Sequence, residues 1–329
     1  MRILTAGEVR KALPMDLAIS AMEDAFSAFS SGKSVCPPRT RMKVPEESTD
    51  LLFMPASYRS GTVSPVAVKT LGVNPGNAGR GIPTVHASVL LADGATGAPL
   101  ALLEGGALTA IRTGAASGLA TRLLSRPGSR VLAIFGTGTQ ARAQALGVCA
   151  VRRIEELRVF SPHRAHVAAF IRECAGRDSL PERIVPASSP GDALKGADIV
   201  CTATTSSTPV FSDDCLNTGA HINAVGSYLP GNAEIPPETV ARARVYVDSR
   251  EAAFSEAGDL ILPLARGVIG ELHVQGELGE LLQGRVPGRQ SPEAITLFKS
   301  VGIAVQDVAA AWECYRNALR LGIGQDIGW

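Results

Sequence analysis

From about residue 129 onward, short apolar segments alternate with helical stretches, and few folds accommodate that order. The predicted strands are RVLAIFG, LRVF, RIVPA, ADIVCTAT, HINAVG and RVYVDS. Predicted helices begin at Thr139 and Arg164, after the first two strands. Neighbouring parallel strands need crossover connections, which helices usually supply. The order therefore predicts an α/β fold with a Rossmann-type parallel sheet that carries helices on both faces.

The first of these strands leads directly into a glycine-rich turn, VLAIFGTGTQA, at residues 131–141. Gly136, Gly138 and Ala141 have the G-x-G-x-x-A spacing of a dinucleotide-binding turn, in which the glycines allow a tight turn and close approach of backbone N–H groups to a pyrophosphate. Because the motif follows a strand and opens a helix, it predicts a dinucleotide site. The predicted cofactor contacts in this turn are Gly136, Thr137, Gly138, Thr139, Gln140 and Ala141.

The end of the second predicted strand bears on the choice of cofactor. In NAD(H) sites an acid about 20 residues beyond the turn binds the ribose 2′-hydroxyl. The sequence here is LRVFSPHRAHV, which offers Ser161, His163 and Arg164 and no acid. A hydroxyl and cations suit a 2′-phosphate, so we predict NADP(H), with NAD(H) as the alternative. Arg164 has a second interpretation as a solvated residue in the first turn of a helix.

The first 120 residues have a different pattern. A helix over Leu17–Phe29 precedes a loop, VCPPRTRMKVP, and then the segments LLFMP, VAVKTLG, TVHASVLLAD and APLALLEGG, which are typical of antiparallel strands. The helix TAIRTGAASGLATRLLS leads into the parallel sheet, and the late segments AITLFKSVG and VQDVAAAWECYRNALRLG are a predicted strand and helix. We predict an α+β domain over 1–120 completed by 303–329, and a Rossmann domain over 121–302.

The composition limits the classes of function. The chain has 329 residues, of which 45% are hydrophobic and 19% charged, so it can bury the cores of two domains. The formal net charge is +1 and like charges do not form long blocks, which argues against nucleic-acid or membrane partners. No apolar run approaches the roughly 20 residues that span a bilayer, so we expect a cytoplasmic protein.

The cysteines indicate neither disulfides nor a metal site. The six of them are scattered, without a CxxC pair or a nearby histidine at ligand spacing: Cys36, Cys149, Cys174, Cys201, Cys215 and Cys314. We therefore expect free thiols and no bound metal. Cys201 lies between an apolar strand and a polar loop, where a small buried hydrophobic residue is expected rather than a nucleophile.

Motifs spread over nearly the whole chain resemble those of the ornithine cyclodeaminase/mu-crystallin family. They are, in order, PPRT, FMPA, VAVKTLG, GIPTVHASVLLADGATGAPLALLEGG, TAIRTGAASGLA, FGTGTQA, HINAVGS and FKSVGIAVQD. The resemblance implies a homodimer in which the N-terminal domain, completed by the C-terminal helix, forms the interface and supplies substrate groups to the Rossmann domain. It also implies chemistry at the carbon that bears an amino acid's nitrogen.

The resemblance assigns three cations to the substrate carboxylate: Arg39, Lys69 and Arg112. Arg112 also stands out by itself, since a charge in the small, apolar helix start LTAIRTGAAS needs a partner, either a carboxylate ligand or an internal salt bridge. Lys69 interrupts an apolar strand, where its pKa is easily tuned; the alternative is an edge-strand lysine. Arg41 competes with Arg39 if the alignment slips by two residues.

Further site residues come from the strand ends. His86 is a candidate proton donor or substrate contact, with a structural role as the alternative. Thr113 and Ser227 are predicted cofactor contacts, and Ser227 is placed near the nicotinamide. Tyr228 follows in the position where the resemblance puts an acid in cyclodeaminases, and we predict a contact to the substrate nitrogen or a hydrophobic lid.

The missing acids decide the predicted reaction. Tyr228 and Leu52 stand where cyclodeaminases carry acids, and a phenol with a pKa near 10 is a poor general base. Hydride transfer to a C=N bond needs no such base, so we predict reduction of a 2-imino acid, cyclic or acyclic, to the L-amino acid. The alternatives are an NAD-dependent ornithine cyclodeaminase, an alanine-dehydrogenase-like enzyme and a nicotinamide-binding protein without significant turnover.

Overall fold

The computed structural model describes residues 1–328 and divides into two compact units, Met1–Arg112 with Ile303–Trp329, and Thr113–Gly302. The elements up to the end of the long third helix are β1 (Arg2–Leu4), α1 (Ala6–Ala12), α2 (Met15–Ser30), β2 (Ser34–Val35), β3 (Thr40–Val44), β4 (Thr49–Tyr58), β5 (Pro65–Val73), β6 (Val85–Asp93), β7 (Pro99–Glu104) and α3 (Gly105–Leu124). The division between the units falls within α3.

The elements from there to the last strand alternate between strands and helices. They are β8 (Val131–Phe135), α4 (Thr139–Val151), β9 (Glu156–Phe160), α5 (Arg164–Cys174), β10 (Ile184–Pro186), α6 (Pro190–Leu194), β11 (Ile199–Thr202), β12 (His221–Ala224), α7 (Pro237–Arg242), β13 (Arg244–Val247), α8 (Arg250–Glu256), α9 (Gly258–Ala265), β14 (Val274–Glu277), α10 (Leu278–Leu282), β15 (Thr296–Lys299), α11 (Ala304–Leu321) and β16 (Gln325–Asp326).

The first unit contains a mixed sheet in the order β16-β1-β7-β6-β5-β4-β2, with β3 paired to β4. Strands β4 to β7 are antiparallel neighbours, as predicted. Side chains along β4 alternate, so Leu52, Met54, Ala56 and Tyr58 are buried on one face. Helix α11 packs against β4, β5 and α2, and it belongs to this unit.

One segment of this unit differs from the prediction. The segment Thr40–Val44 was predicted to lie in a loop, and it forms strand β3, antiparallel to β4. Most of its residues are exposed, so the alternation of buried and exposed side chains that marks β4 is absent. Pairing with β4, rather than burial, therefore specifies this strand, and pairing leaves no signal in the local sequence.

The second unit contains the predicted parallel sheet, in the order β10-β9-β8-β11-β12-β15-β13-β14. Successive residues of β8 enter two different clusters: Leu132 and Ile134 pack with α4 and α5, whereas Ala133 and Phe135 pack on the other face. Both faces are therefore covered, which explains the uninterrupted apolar character of these strands. The sheet order reverses between β8 and β11, where α/β proteins bind ligands beyond the carboxyl ends of the strands.

Helices α3 and α4 approach each other unusually closely within this unit. A Cβ atom on Gly147 would lie 2.0 Å from the carbonyl oxygen of Gly114, and one on Gly114 would lie 2.2 Å from that of Ala143. Only glycine fits at both positions, so this contact fixes the helix that follows the glycine-rich turn. None of the helices among the described residues is long and apolar enough to cross a membrane.

Candidate active site

Two predicted cations of the first unit meet at a carboxylate that the sequence analysis did not single out. Asp307, in the first turn of α11, forms ion pairs with Lys69 of β5 at 2.8 Å and with Arg112 of α3 at 3.0 Å. The side chains of Lys69 and Asp307 are only 1% exposed. Lys69 lies on the buried face of β5.

Burial and the neighbouring charges have opposing effects on the pKa values of Lys69 and Asp307. Burial lowers the pKa of Lys69 to about 8, with Arg112 and Arg39 acting in the same direction and Asp307 against it. Burial would raise the pKa of Asp307, but the attraction of Lys69 and Arg112 outweighs it and holds that pKa below its usual range. The ammonium of Lys69 can therefore release its proton near neutral pH.

Gln306 and Arg39 extend the group. Arg112 Nη1 donates to Gln306 Oε1 at 3.0 Å, and the backbone N–H of Ile303 donates to the same oxygen at 2.9 Å. Arg39 is half-buried and near enough to Lys69 and Cys36 to affect the pKa of both. Its competitor Arg41 instead pairs with Asp50 at 2.6 Å on the surface. The structure thus brings Arg39, Lys69 and Arg112 together.

The register of the sheet separates His86 from that group. His86 pairs with Gly72 and Lys69 pairs with Val89, so the side chains of His86 and Lys69 lie on opposite faces. His86 is exposed beside a shallow pocket of about 300 Å³. Leu52 pairs with Leu71 and shares the face of Lys69, two residues along the strand, so an apolar side chain stands there.

The glycine-rich turn of the second unit has the geometry that a dinucleotide requires. Gly136 has φ +108°, and a Cβ atom there would lie 2.4 Å from the carbonyl oxygen of Ala203. Gly138 precedes the first residue of α4, and a Cβ atom there would project into open space. Ala141 is fully buried, as close helix packing requires. The space in front of Gly138 and the exposed Thr139 can receive a pyrophosphate.

The remaining predicted cofactor residues lie nearby along the chain. The Thr137 carbonyl oxygen accepts from Arg142 Nη1 at 2.7 Å, and Gln140 Oε1 is buried without a donor among the described residues. Thr113 is buried in α3.

Beyond β9, exposed His163 and Arg164 begin α5, and the His163 N–H donates to Ser161 Oγ at 3.3 Å. His166 lies close to these residues, and its ring centroid is 5.1 Å from that of His163. No acid stands at this strand end.

Ser227 and Tyr228, in the loop that follows β12, have different environments. Ser227 is 2% exposed, its Oγ donates to the Asn232 carbonyl oxygen, and its own carbonyl oxygen accepts from Lys299 Nζ. Tyr228 is 43% exposed. The Ser227 hydroxyl is therefore committed to the loop, whereas the Tyr228 side chain is turned toward solvent in this state.

Sequence reasoning missed several buried polar residues. In the first unit these are Asp307 and Gln306, and in the second they are Glu234, Asp259 and Lys299. The signal for the first pair was available, because QD interrupts the apolar segment GIAVQDVAAAW at the start of a helix. The second set is scattered over more than 60 residues, and no local pattern connects its members.

Comparison with known proteins gives one consistent result. The ornithine cyclodeaminase/mu-crystallin family pattern matches residues 1–321. A Bacillus cereus Δ1-pyrroline-2-carboxylate reductase is 39% identical over 328 residues, covering 99% of each chain.

Two solved structures extend this likeness to the fold. The Thermococcus litoralis Δ1-pyrroline-2-carboxylate reductase in complex with NADH and L-proline has a TM-score of 0.94 at 38% identity, covering 99% of this chain and 100% of that one. An archaeal alanine dehydrogenase dimer with bound NAD has a TM-score of 0.92 at 34% identity, covering 100% and 99%. The motifs, the fold and these likenesses agree, and the chain belongs to the ornithine cyclodeaminase/mu-crystallin family.

Proposed function

We propose that this protein reduces the C=N bond of a 2-imino acid to the L-amino acid with a nicotinamide cofactor, and that its substrate is a cyclic ketimine of the pyrroline-2-carboxylate type. It is an oxidoreductase of CH–NH bonds, in keeping with its reductase and dehydrogenase relatives. The observation that carries the proposal is the buried group of Lys69, Arg112 and Asp307.

The cofactor fits the residues of the second unit. The open space at Gly138 and the exposed start of α4 suit a pyrophosphate, and a side chain at position 138 would fill that space. Bound NADH or NADPH supplies the hydride that reaches carbon two of the imine. We retain NADP(H) as the favoured cofactor because Ser161, His163 and Arg164 stand where an acid would select NAD(H). The relatives with NADH or NAD bound make NAD(H) the specific alternative.

Arg112 and Arg39 bind the substrate carboxylate. A guanidinium matches a carboxylate with paired N–H donors, and Arg112 is held in place by Asp307 and Gln306. Lys69 and Arg112 share the single carboxylate of Asp307, so these three residues retain positive charge that an anionic substrate neutralises. A pure cofactor-binding protein would have no need of this buried arrangement.

Lys69 delivers the proton to the imine nitrogen. Its pKa of about 8 places it near the operating pH, where a general acid is most effective. Asp307 holds the ammonium at 2.8 Å and fixes its direction. His86 is not needed for this step, since it lies on the other face of the sheet.

The same residues argue against cyclodeamination of ornithine. That reaction needs a base to activate water, and Leu52 and Tyr228 stand at the two positions assigned to acids. Leu52 is 9% exposed on the face of Lys69, so no carboxylate approaches from there.

We also propose that the protein is a homodimer that associates through the open face of the first sheet. Met42, Val66 and Leu90 are exposed on that face, and they form an apolar surface opposite to the one covered by α11. A solved relative is a dimer. Light scattering of the purified protein would give twice the monomer mass if the proposal is right.

The test is oxidation of NADPH and NADH in the presence of pyrroline-2-carboxylate, piperideine-2-carboxylate, iminosuccinate, and pyruvate with ammonia. We expect rapid turnover of a cyclic ketimine and its loss in Lys69→Met, with Lys43→Met on exposed β3 as the control. Fastest turnover of pyruvate with ammonia would instead establish the alanine-dehydrogenase alternative, which the alanine dehydrogenase likeness favours. Ammonia release from ornithine without net cofactor oxidation would overturn the proposal.

A further inference from the structure

Glu234 occupies an unusual position at the carboxyl end of the parallel sheet. Its side chain accepts from the Thr204 N–H and hydroxyl at 2.7 Å each, the Gly226 N–H at 2.7 Å, and the Thr202 hydroxyl and Ser227 N–H at 3.1 Å. These donors belong to the ends of β11 and β12. Glu234 is fully buried. Burial raises the pKa of Glu234 above its usual value, with Lys299 acting against it. The three backbone N–H groups can only donate, and both carboxylate oxygens accept from them, which favours the ionised form.

Two further charges complete what we call the anionic cluster, Glu234, Asp259 and Lys299. Lys299 Nζ forms an ion pair with Asp259 Oδ2 at 2.8 Å, with both side chains fully buried. Asp259 Oδ1 accepts from the backbone N–H groups of Glu234 and Ile235 at 2.6 and 2.9 Å. Two carboxylates and one ammonium leave a formal excess of one negative charge in a region that water does not screen.

The sheet topology indicates where the nicotinamide half of a bound cofactor would lie. A dinucleotide binds across the point where strand order reverses, which lies between β8 and β11. The glycine-rich turn follows β8, and the 2′-position of the adenosine is recognised beyond β9. The other half would therefore extend over the ends of β11 and β12, which Glu234 joins.

We propose that the anionic cluster stabilises the oxidised, positively charged nicotinamide relative to the neutral reduced ring. This rests on the proposed function, since it concerns the same cofactor site. When the reduced ring gives its hydride, two electrons and the hydrogen go to carbon two of the imine and the ring is left with one positive charge. A fixed excess of negative charge favours that product state, so it makes the bound reduced cofactor a stronger hydride donor.

The test compares dissociation constants of the reduced and oxidised cofactor, measured by fluorescence titration and competition without substrate. We expect Glu234→Gln to lower the preference for the oxidised form about tenfold, the order expected for one unit charge at about 10 Å and an effective dielectric of about 20. Lys299→Met should change the preference in the opposite direction. Glu238→Gln, at an exposed position in the first turn of α7, removes an equal charge from the surface and should change the preference less than about twofold.

The opposite changes in cofactor preference expected for Glu234→Gln and Lys299→Met distinguish an electrostatic effect from damage to the fold. A purely structural role would weaken both cofactor forms equally in both variants, and that result would overturn the inference while leaving the proposed function in place. A shift of the same sign in both variants would also overturn it. Failure of the unmodified protein to bind either form would overturn the proposed function itself, and the inference with it.

Discussion

Replacing Asp307 with asparagine removes one charge from a buried group of three and leaves its shape nearly unchanged. Asp307 is the ion-pair partner of both Lys69 and Arg112, at 2.8 and 3.0 Å. Neither cation is more than 6% exposed, so water cannot replace the lost carboxylate. Breaking a buried pair in this way costs about 3–5 kcal/mol because an uncompensated charge remains. We expect the free energy of unfolding to fall by that amount at pH 7.

The loss should depend on pH in a definite direction. The folded pKa of Lys69 is about 8, below its value in the unfolded chain, and loss of Asp307 lowers it further. Between that lowered pKa and about 8, the folded variant binds one proton fewer than the folded wild type, whereas the unfolded chains bind the same number. The stability deficit therefore shrinks by about 1.4 kcal/mol for each unit of rising pH and levels off above about 8.

Urea unfolding followed by circular dichroism at pH 7, 8 and 9 measures both effects. Asp50→Asn is the control, because its pair with Arg41 is 2.6 Å long but exposed, and its loss should lower the stability far less and without this pH dependence. The alkaline limb of kcat/KM should also move to lower pH in Asp307→Asn. A variant within 1 kcal/mol of wild type at pH 7, or a deficit that does not change with pH, would refute the argument that Asp307 sustains the charge of Lys69.

The other predictions concern cofactor and substrate. Arg164→Ala should weaken binding of NADPH more than that of NADH in equilibrium titrations, whereas Arg172→Ala, at another exposed position of α5, should affect neither. Equal effects of Arg164→Ala on both cofactors would contradict the assignment of Arg164 to a 2′-phosphate. Gly138→Ala should fold normally and lose cofactor affinity. Gly136→Ala should also lower the melting temperature, because the residue has φ +108° and its added Cβ atom would lie 2.4 Å from a carbonyl oxygen. Equal melting temperatures of the two variants would contradict this geometry. His86→Ala should keep kcat within about threefold of wild type in steady-state assays, and a loss comparable to that of Lys69→Met would place His86 in the site after all.

Much of the second unit follows from its sequence because local patterns specify it. The strand, the glycine-rich turn and the helix over 131–151 combine apolar residues, glycines at fixed spacing and a buried alanine, and each constraint acts within a few residues. The close contact of Gly114 with Gly147 could not be predicted in the same way. Its two glycines belong to different helices, and only packing shows that the backbone of Gly114 excludes a side chain at Gly147 and that of Ala143 excludes one at Gly114.

The residues proposed to bind the substrate could likewise be predicted only in part. Lys69 and Arg112 stand out because each charge interrupts an apolar segment. Their common partner lies 195 residues beyond Arg112, and the sequence contains nothing that pairs Asp307 with either cation. For His86, proximity to the site motifs along the chain was the only signal, and a role in the same site stays a prediction. Successive side chains of a strand point to opposite faces of the sheet, and the register puts His86 and Lys69 on opposite faces.

The most direct test of the central claim is transfer of deuterium from reduced cofactor labelled at the reactive ring position to pyrroline-2-carboxylate, followed by mass spectrometry of the product. We expect L-proline with one deuterium at carbon two, formed by the wild type and not by Lys69→Met. Unlabelled proline, or a labelled cofactor that binds and remains unoxidised with every imine in the panel, would contradict it.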